Sequence, residues 1–480
     1  MRLTLTLKLI SVTKYLGVQH LVEDMVSTDL RPSDEYLILA SHLLWDIWQN
    51  TREDKTYLQC AVLLHWGLST SPSNWQLKLM LIRLLTASGC GGWAYEVHAS
   101  LDIKHLMLDS LGWVLQHQLV QCGLAGLAMG QSGHHLYTMR LYGQVNKDTS
   151  DHIITAYRTG TFFQIRDIYN LRQRINNSYN LMSTNAENQL YILLHKTASH
   201  SELHSMLNYL DNVEDEDWAS KRDNRDLDTM VSWDLASSRD SGVRETSLRR
   251  ELLYTRTRQL LVKCVQACVK SEENPSHNIT NGNSSVELSE VNAFRHKLKS
   301  HWATVCSETK MQKTSKLKLA PQTPTSPNLL CYTQSAQVDT ITILLDVVSQ
   351  MLSENTDLDM ASVTEAAAGL TARISDLSND VNTHGLHLYH RRELLEAITW
   401  HLETTGLASI LCGVIVALMK GGGGVAAKLG KKTKKGRGAV TQRYLTCIGT
   451  VNSGVDKFYE ANKHLEDIVN VSRKGQMQIA

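Results

Sequence analysis

From Asp34 to Leu115 the chain reads as several amphipathic segments laid end to end, each about a dozen residues long. Tyr36-Leu37, Ala40, Leu43-Leu44 and Ile47-Trp48 recur at three-and-four spacing, which places them on one helical face. Tyr57-Leu58, Ala61-Val62, His65 and Leu68 repeat the pattern. A third segment carries Trp75, Leu77, Leu81 and Leu84-Leu85, and a fourth carries Trp93-Ala94, Val97 and Leu101. Breakers separate them: Arg52-Glu53-Asp54, then Ser71-Pro72-Ser73-Asn74, then Gly89-Cys90-Gly91-Gly92. Helices this short cannot bury their apolar faces alone, so helix, turn, helix, repeated, predicts an array in which each pair packs on the next.

The third and fourth segments allow a closer comparison with a tetratricopeptide unit. With Pro72 closing one unit, Leu81, Gly89 and Ala94 fall at the leucine, turn glycine and small residue of the next. Gly89 permits a turn that a side chain would obstruct, and Ala94 permits close helix approach. Lys78 stands where tryptophan is usual, and His98 where an aromatic is. The unit is a degenerate repeat; the plainer alternative is an ordinary helical hairpin.

At 480 residues the chain could hold two or three ordinary domains or one long solenoid. Its 42% hydrophobic content suffices for a core, and only six prolines occur, three of them between Pro321 and Pro327. A formal net charge of +1 excludes a global field that would drive nucleic-acid or membrane binding. Nine cysteines lack any C-x-x-C spacing, so neither a disulfide framework nor a zinc knuckle is indicated. A reduced compartment, cytosolic or nuclear, follows, and the location expected is cytoplasmic. Cys264 and Cys268, four apart on a predicted helix, read as packing residues. Met1 to Ile10 lacks the contiguous apolar run of a secretory signal. Leu407 to Met419, about thirteen residues, is shorter than the roughly twenty that span a bilayer, and reads as a buried helix. No membrane partner is expected.

The fold class is all-α, a helical-repeat solenoid of degenerate tetratricopeptide-like helix pairs. Residues 1–210 form the repeats: helix continues from His105 to Ala128, His134–Gln144 and Thr149–Arg158 make a pair, and Phe162-Phe163, Ile165, Ile168-Tyr169, Arg172 and Ile175 mark another helix. Residues 211–240 are an acidic loop, read as solvated and lacking the spacing of a calcium loop. Residues 241–270 are a helix. Residues 271–337 are flexible linkers around a short helix, Val291 to Val305. Residues 338–480 form a C-terminal helical region interrupted by a basic Gly/Lys loop at 421–437.

That loop is the one functional-looking surface. Lys428, Lys431, Lys432, Lys434, Lys435 and Arg437, flanked by glycine, form a cationic cluster that could contact phosphates of ribosomal RNA. A solubilising insertion and a nuclear import signal share the spelling. Aromatics do not interleave the lysines, which argues against base stacking, and DNA is not an expected partner. The glycines before Lys431 miss the P-loop spacing. His384, His387 and His390 step round a helix rather than converge, so no metal site is expected. No H-E-x-x-H or G-x-S-x-G occurs, and no catalytic residue is assigned.

Several stretches together resemble one family, the auxiliary subunits of the N-terminal acetyltransferase B (NatB) complex. They are Gly67-Leu68-Ser69-Thr70-Ser71-Pro72-Ser73-Asn74, Ser100-Leu101-Asp102-Ile103-Lys104-His105, Lys147-Asp148-Thr149-Ser150 and Ala156-Tyr157-Arg158-Thr159-Gly160. Arg174-Ile175-Asn176-Asn177-Ser178, Asp223-Asn224-Arg225-Asp226-Leu227 and Ser232-Trp233-Asp234 complete the set. The match is good from about residue 15 to 235. The resemblance implies a non-catalytic scaffold that wraps a small acetyl-CoA-dependent catalytic subunit as a heterodimer and helps hold it at the ribosome. That complex acetylates nascent chains beginning Met-Asp, Met-Glu, Met-Asn or Met-Gln. Acetyl-CoA is then expected on the partner and no cofactor on this chain; the nearest approach to the pyrophosphate motif [RQ]-x-x-G-x-[GA] is Arg140-Leu141-Tyr142-Gly143-Gln144-Val145, which ends in valine. The resemblance places this chain in the C-terminal half of such a subunit. The alternative reading is a free-standing helical-repeat adaptor, and a nucleic-acid-binding repeat protein is a third.

Overall fold

The computed structural model describes residues 30–122 apart from position 32, then 134–195, 220–229, 241–273, 284–314, 327–353 and 387–420, with isolated positions between. The array begins with α1 (Asp34–Thr51), α2 (Asp54–Thr70), α3 (Trp75–Ala87) and α4 (Gly91–Ala99), each packed on the next. Leu37, Ala40, Leu44, Trp48, Tyr57, Ala61, Leu64, Leu77, Leu81 and Ala94 form their shared core. The spacing marks most of these faces, but Val62, His65 and Trp75, expected on them, are exposed, and Leu63 and Leu64 are buried instead; the turn at Ser71 to Asn74 lies where the sequence predicts it.

The chemistry of that boundary explains its composition. Asn74 caps α3, its Oδ1 accepting from Gln76 and Leu77 amides at 3.1 and 3.2 Å. Its Nδ2 donates to Asp34 Oδ2 at 2.9 Å, and Ser71 Oγ donates to Asp34 Oδ1 at 3.1 Å. The Ser-Pro-Ser-Asn turn thus ties the start of α3 to the start of α1 through a buried carboxylate. Lys78, out of place for the consensus tryptophan, donates from Nζ to Ser100 O at 2.8 Å across the helix pair. Gly89 adopts φ +77°, and an added Cβ would lie 2.6 Å from Leu395 Cδ1.

Beyond α4 the predicted helix over 105–128 breaks into α5 (Met107–Leu111), a 3₁₀ turn (Gly112–Val114) and α6 (Gln116–Gln121). The cause is tertiary. Residues 220–229 dock here, with Asp226 N donating to Ser110 O and Trp113 Nε1 donating to Asp226 O. The expected pair 134–144 and 149–158 is one helix, α7 (His134–Arg158). Asn146 to Ser150 looks like a break, but no Gly or Pro enforces one. Thr149 and Ser150 return their hydroxyls to the carbonyls of Val145 and Asn146. Then come α8 (Phe162–Asn176) and α9 (Tyr179–His195).

The C-terminal part is α10 (Ser241–Glu273), α11 (Ser284–Thr314), α12 (Leu329–Ser335), α13 (Val338–Leu352) and α14 (Leu388–Lys420). The flexible-linker reading of 271–337 needs correction. Helix α11 is twice the predicted length, and its Val291, Leu298, Trp302 and Val305 are buried against α10 and α13. The Asn- and Ser-rich composition of its beginning concealed an amphipathic period that starts only at Val291. Around it Tyr254, Trp302, Tyr332 and Trp400 from four helices meet edge to face at 4.8–6.1 Å, and Trp400 Nε1 donates to Tyr254 O–H at 2.9 Å.

Helix α14 departs from nearest-neighbour stacking. Its N-terminal end lies on the first repeats, with Leu388 N donating to Asp54 Oδ1 and Arg392 to Gln121 Oε1. Its C-terminal half enters the α9–α13 core through Leu407, Leu411 and Ile415. Positions 390–415 are long and apolar enough to cross a membrane by composition, yet 61% of that stretch is buried inside the protein, as expected of a core helix. Among the described residues the sole β contact is an isolated parallel bridge, Ser178 to Arg222.

Candidate docking surface

The six cations named above, Lys428, Lys431, Lys432, Lys434, Lys435 and Arg437, lie outside the described residues, as do His384 and the predicted helix 440–471. His387 is described and faces Asp54 at 3.9 Å, an ion-pair geometry between distant parts of the chain. Cys264 and Cys268 are both buried in the core, and burial pushes the Cys268 thiol up to about 12. Cys60 and Cys122 are likewise buried and raised to about 12. These thiols pack.

The surface that stands out was read from sequence only as a helix. In α8, Ile165, Ile168 and Arg172 are half-buried and Ile175 is buried, whereas Phe162, Phe163, Tyr169 and Leu171 face outward. Phe163 is 75% exposed and Tyr157, at the end of α7, 70%. The two helices form a hairpin whose turn is a helix stop. Gly160 takes φ +72°, and Thr161 N donates to Ala156 O while Gly160 N donates to Tyr157 O. Ala156-Tyr157-Arg158-Thr159-Gly160 is thus a capping motif, and the Tyr157 and Phe162 rings meet across it at 5.8 Å.

The root of this hairpin is held as firmly as its tip is open. Tyr142 of α7 donates its hydroxyl to Asp109 Oδ1 at 2.5 Å, and Asn224 Nδ2 donates to Asp109 Oδ2 at 3.0 Å. Asn180 Nδ2 donates to Leu108 O and to Tyr142 Oη. Arg174 of α8 and Asn224 exchange hydrogen bonds, Arg174 Nε donating to Oδ1 and Asn224 Nδ2 to Arg174 O. Burial and the Asp109 carboxylate push the Tyr142 phenol well above its ordinary range, so it stays a donor.

Asp223-Asn224-Arg225-Asp226-Leu227 is therefore docked through buried Arg225 and Leu227, and the solvated-loop expectation is corrected for these two, while Arg222, Asp226 and Asp228 are exposed. Arg225 donates to Glu251 Oε2 at 2.6 Å and grips Asp223 through two nitrogens at 2.7 Å. Its guanidinium also lies 4.9 Å from the Tyr179 ring centroid. Burial opposes the arginine charge, but the two carboxylates outweigh it and keep the group fully charged. A second buried cluster joins the array to the C-terminal core. His117 Nδ1 meets Glu187 Oε1 at 3.1 Å, and Arg258 bridges Glu187 and Glu403. Charge density in sequence suggested solvation; the alternation of sign within Asp223-Asn224-Arg225 was the available signal of internal pairing.

The part of the chain that holds these stretches matches known proteins. The family model described as the N-acetyltransferase B complex (NatB) non catalytic subunit matches residues 10–227. Over that part, somewhat under half of the chain, the protein is similar to the NatB non-catalytic subunits. The rat N-alpha-acetyltransferase 25, NatB auxiliary subunit, is 34% identical over 249 residues, 50% of this chain and 25% of that protein. The human protein of the same name is 34% identical over 247 residues, with the same coverage. The N-terminal acetyltransferase B complex subunit arm1 of Schizosaccharomyces pombe is 30% identical over 166 residues, 33% of this chain and 20% of that one. The chain thus covers about a quarter of the length of the mammalian relatives. Among solved structures, a NatB acetyltransferase complex bound to a bisubstrate inhibitor aligns at 14% identity and TM-score 0.49, over 94% of this chain and 59% of that chain. The family segment includes the repeats, the hairpin and the docked 220–227 strand of residues.

Proposed function

We propose that this chain is a non-catalytic scaffold of a NatB complex, whose helical array holds the acetyltransferase catalytic subunit in a heterodimer. The match of the NatB non-catalytic subunit model over residues 10–227 carries the reading. The buried chemistry supports it: the carboxylates, arginines and tyrosines that could serve as acids or bases are committed to one another between helices. Acetyl-CoA then binds the partner, and the substrates are nascent chains beginning Met-Asp, Met-Glu, Met-Asn or Met-Gln. The setting is the cytoplasm. With the full 480-residue chain as bait, the acetyltransferase subunit is expected in the eluate. Its absence there, with other proteins recovered, would favour a free-standing helical-repeat adaptor.

Association with the ribosome is a second part of the proposal, and the cations at 428–437 are its candidate contact. Replacing all six with serine is expected to release the chain from ribosomes at low salt. Unchanged sedimentation would make the segment a solubilising insertion.

A further inference from the structure

All the large hydrophobic side chains that are exposed among the described residues fall between positions 30 and 171, inside or at the edge of the family segment's repeats; the α10–α14 core shows none. They are densest on the α7–α8 hairpin, where Ile154, Tyr157, Phe162, Phe163, Tyr169 and Leu171 are all exposed. At the turn Tyr157 packs on Phe162 with exposed Phe163 next to it, and an exposed aromatic cluster of this kind on a helical protein marks a surface that another molecule covers.

Charge says what kind of molecule. From Lys147 to Asn176 the hairpin carries five cations, Lys147, Arg158, Arg166, Arg172 and Arg174, against three carboxylates, Asp148, Asp151 and Asp167, of which only Asp167 lies beyond the turn. Arg172 donates to Ser150 Oγ and Arg174 to Asn224 Oδ1, both neutral groups, so these contacts orient the arginines without cancelling their charge. The patch is therefore aromatic at its centre and cationic at its edge, the composition of an interface hot spot. Its occupant must supply the complement.

We propose that the outer face of the α7–α8 hairpin is the docking site for a partner protein whose contact surface is apolar at its centre and rimmed with carboxylates. The proposal rests on the reading above, in which that partner is the catalytic subunit. RNA fits less well. The exposed apolar side chains outnumber the cations around them, and a phosphate backbone would leave them uncovered. The held root suits docking: Tyr142, Arg174 and Asn224 fix the hairpin, so its face needs no ordering when the partner arrives.

The test uses the full chain and the purified catalytic subunit. Phe162→Asp/Phe163→Asp places acid in the first turn of α8, where helix ends favour it, so an unchanged circular dichroism spectrum and melting curve are expected. Affinity for the catalytic subunit should fall at least about tenfold. Arg158→Glu/Arg166→Glu should slow association and flatten its salt dependence. Wild-type affinity in the Phe162→Asp/Phe163→Asp variant would overturn the docking site while leaving the scaffold reading intact. A wild-type chain that fails to bind the subunit would overturn both. Two other results would also overturn the site: concentration-dependent dimerisation abolished by the aspartates, or loss of oligouridylate binding with protein capture unchanged.

Discussion

Arg225 shows how one buried residue can decide the place of a whole segment. Its charge is opposed by burial and sustained by Glu251 and Asp223, so truncation leaves Glu251, itself almost wholly inside, without its counter-ion. Arg225→Met is expected to lower stability by about 3–5 kcal/mol in urea unfolding. Adding Glu251→Met should return much of that loss, because both charges are then gone. His98 makes a different prediction. It occupies a tetratricopeptide position usually aromatic, and burial pulls its pKa from 6.5 down to about 4. The unfolded chain then binds a proton between those values that the folded chain refuses. The contribution of neutral His98 is complete above pH 6.5 and is lost as the pH falls toward 4, by about 3 kcal/mol at the limit. His98→Phe should therefore lose less stability than the parent between pH 7 and 4.5, as read by chemical unfolding at each pH.

At the scale of elements, the turn between α3 and α4 and the long helix α14 are coupled through one contact. Gly89 is needed twice: its φ of +77° suits glycine, and Leu395 occupies the space a Cβ would take. Gly89→Ala is expected to cost more than about 1 kcal/mol, with a lowered Tm in a thermal melt. Leu395→Ala leaves a cavity of its own, but the double variant should be more stable than the sum of the two losses predicts. Simple additivity would show that the turn suffers from backbone strain alone. The helix faces of α1 to α4 were legible in the sequence because each packs on a sequential neighbour, and three-and-four spacing reports that. The faces of α8 were not. Phe162, Phe163 and Tyr169 share the spacing of core residues, and a period cannot say which of two apolar sides has a neighbour.

For the whole molecule, α14 makes two cores into one cooperative unit. It lies on the first repeats at Leu388 and Arg392 and enters the α9–α13 core at Leu407, and Glu403 closes the Arg258 cluster. Ending the chain before Leu388 should reduce hydrogen-exchange protection in α3 as well as in α10 and α13. Full protection of α3 in that truncation would show that the repeats stand alone. The same contacts bear on the proposed scaffold function. A hairpin projecting from a braced array presents its aromatic face in a constant place, and a partner that docks there meets a surface already formed.

The sequence by itself determined the helices of the first repeats, the turns at Ser71 to Asn74 and at Gly89 and, through its idiosyncratic short motifs, the likeness to NatB auxiliary subunits. All of these are local: capping, periodicity and glycine geometry depend on residues within a turn or two. Tertiary structure alone decided that Arg225 and Leu227 of the charged 220–229 segment are buried, that 284–314 is a core helix, that α14 spans both halves, and that the hairpin's aromatics face outward. Each of those depends on partners tens to hundreds of positions away, as Trp113 with Asp226 and Leu388 with Asp54 show. A charge or an aromatic ring carries the same spelling whether or not its partner arrives.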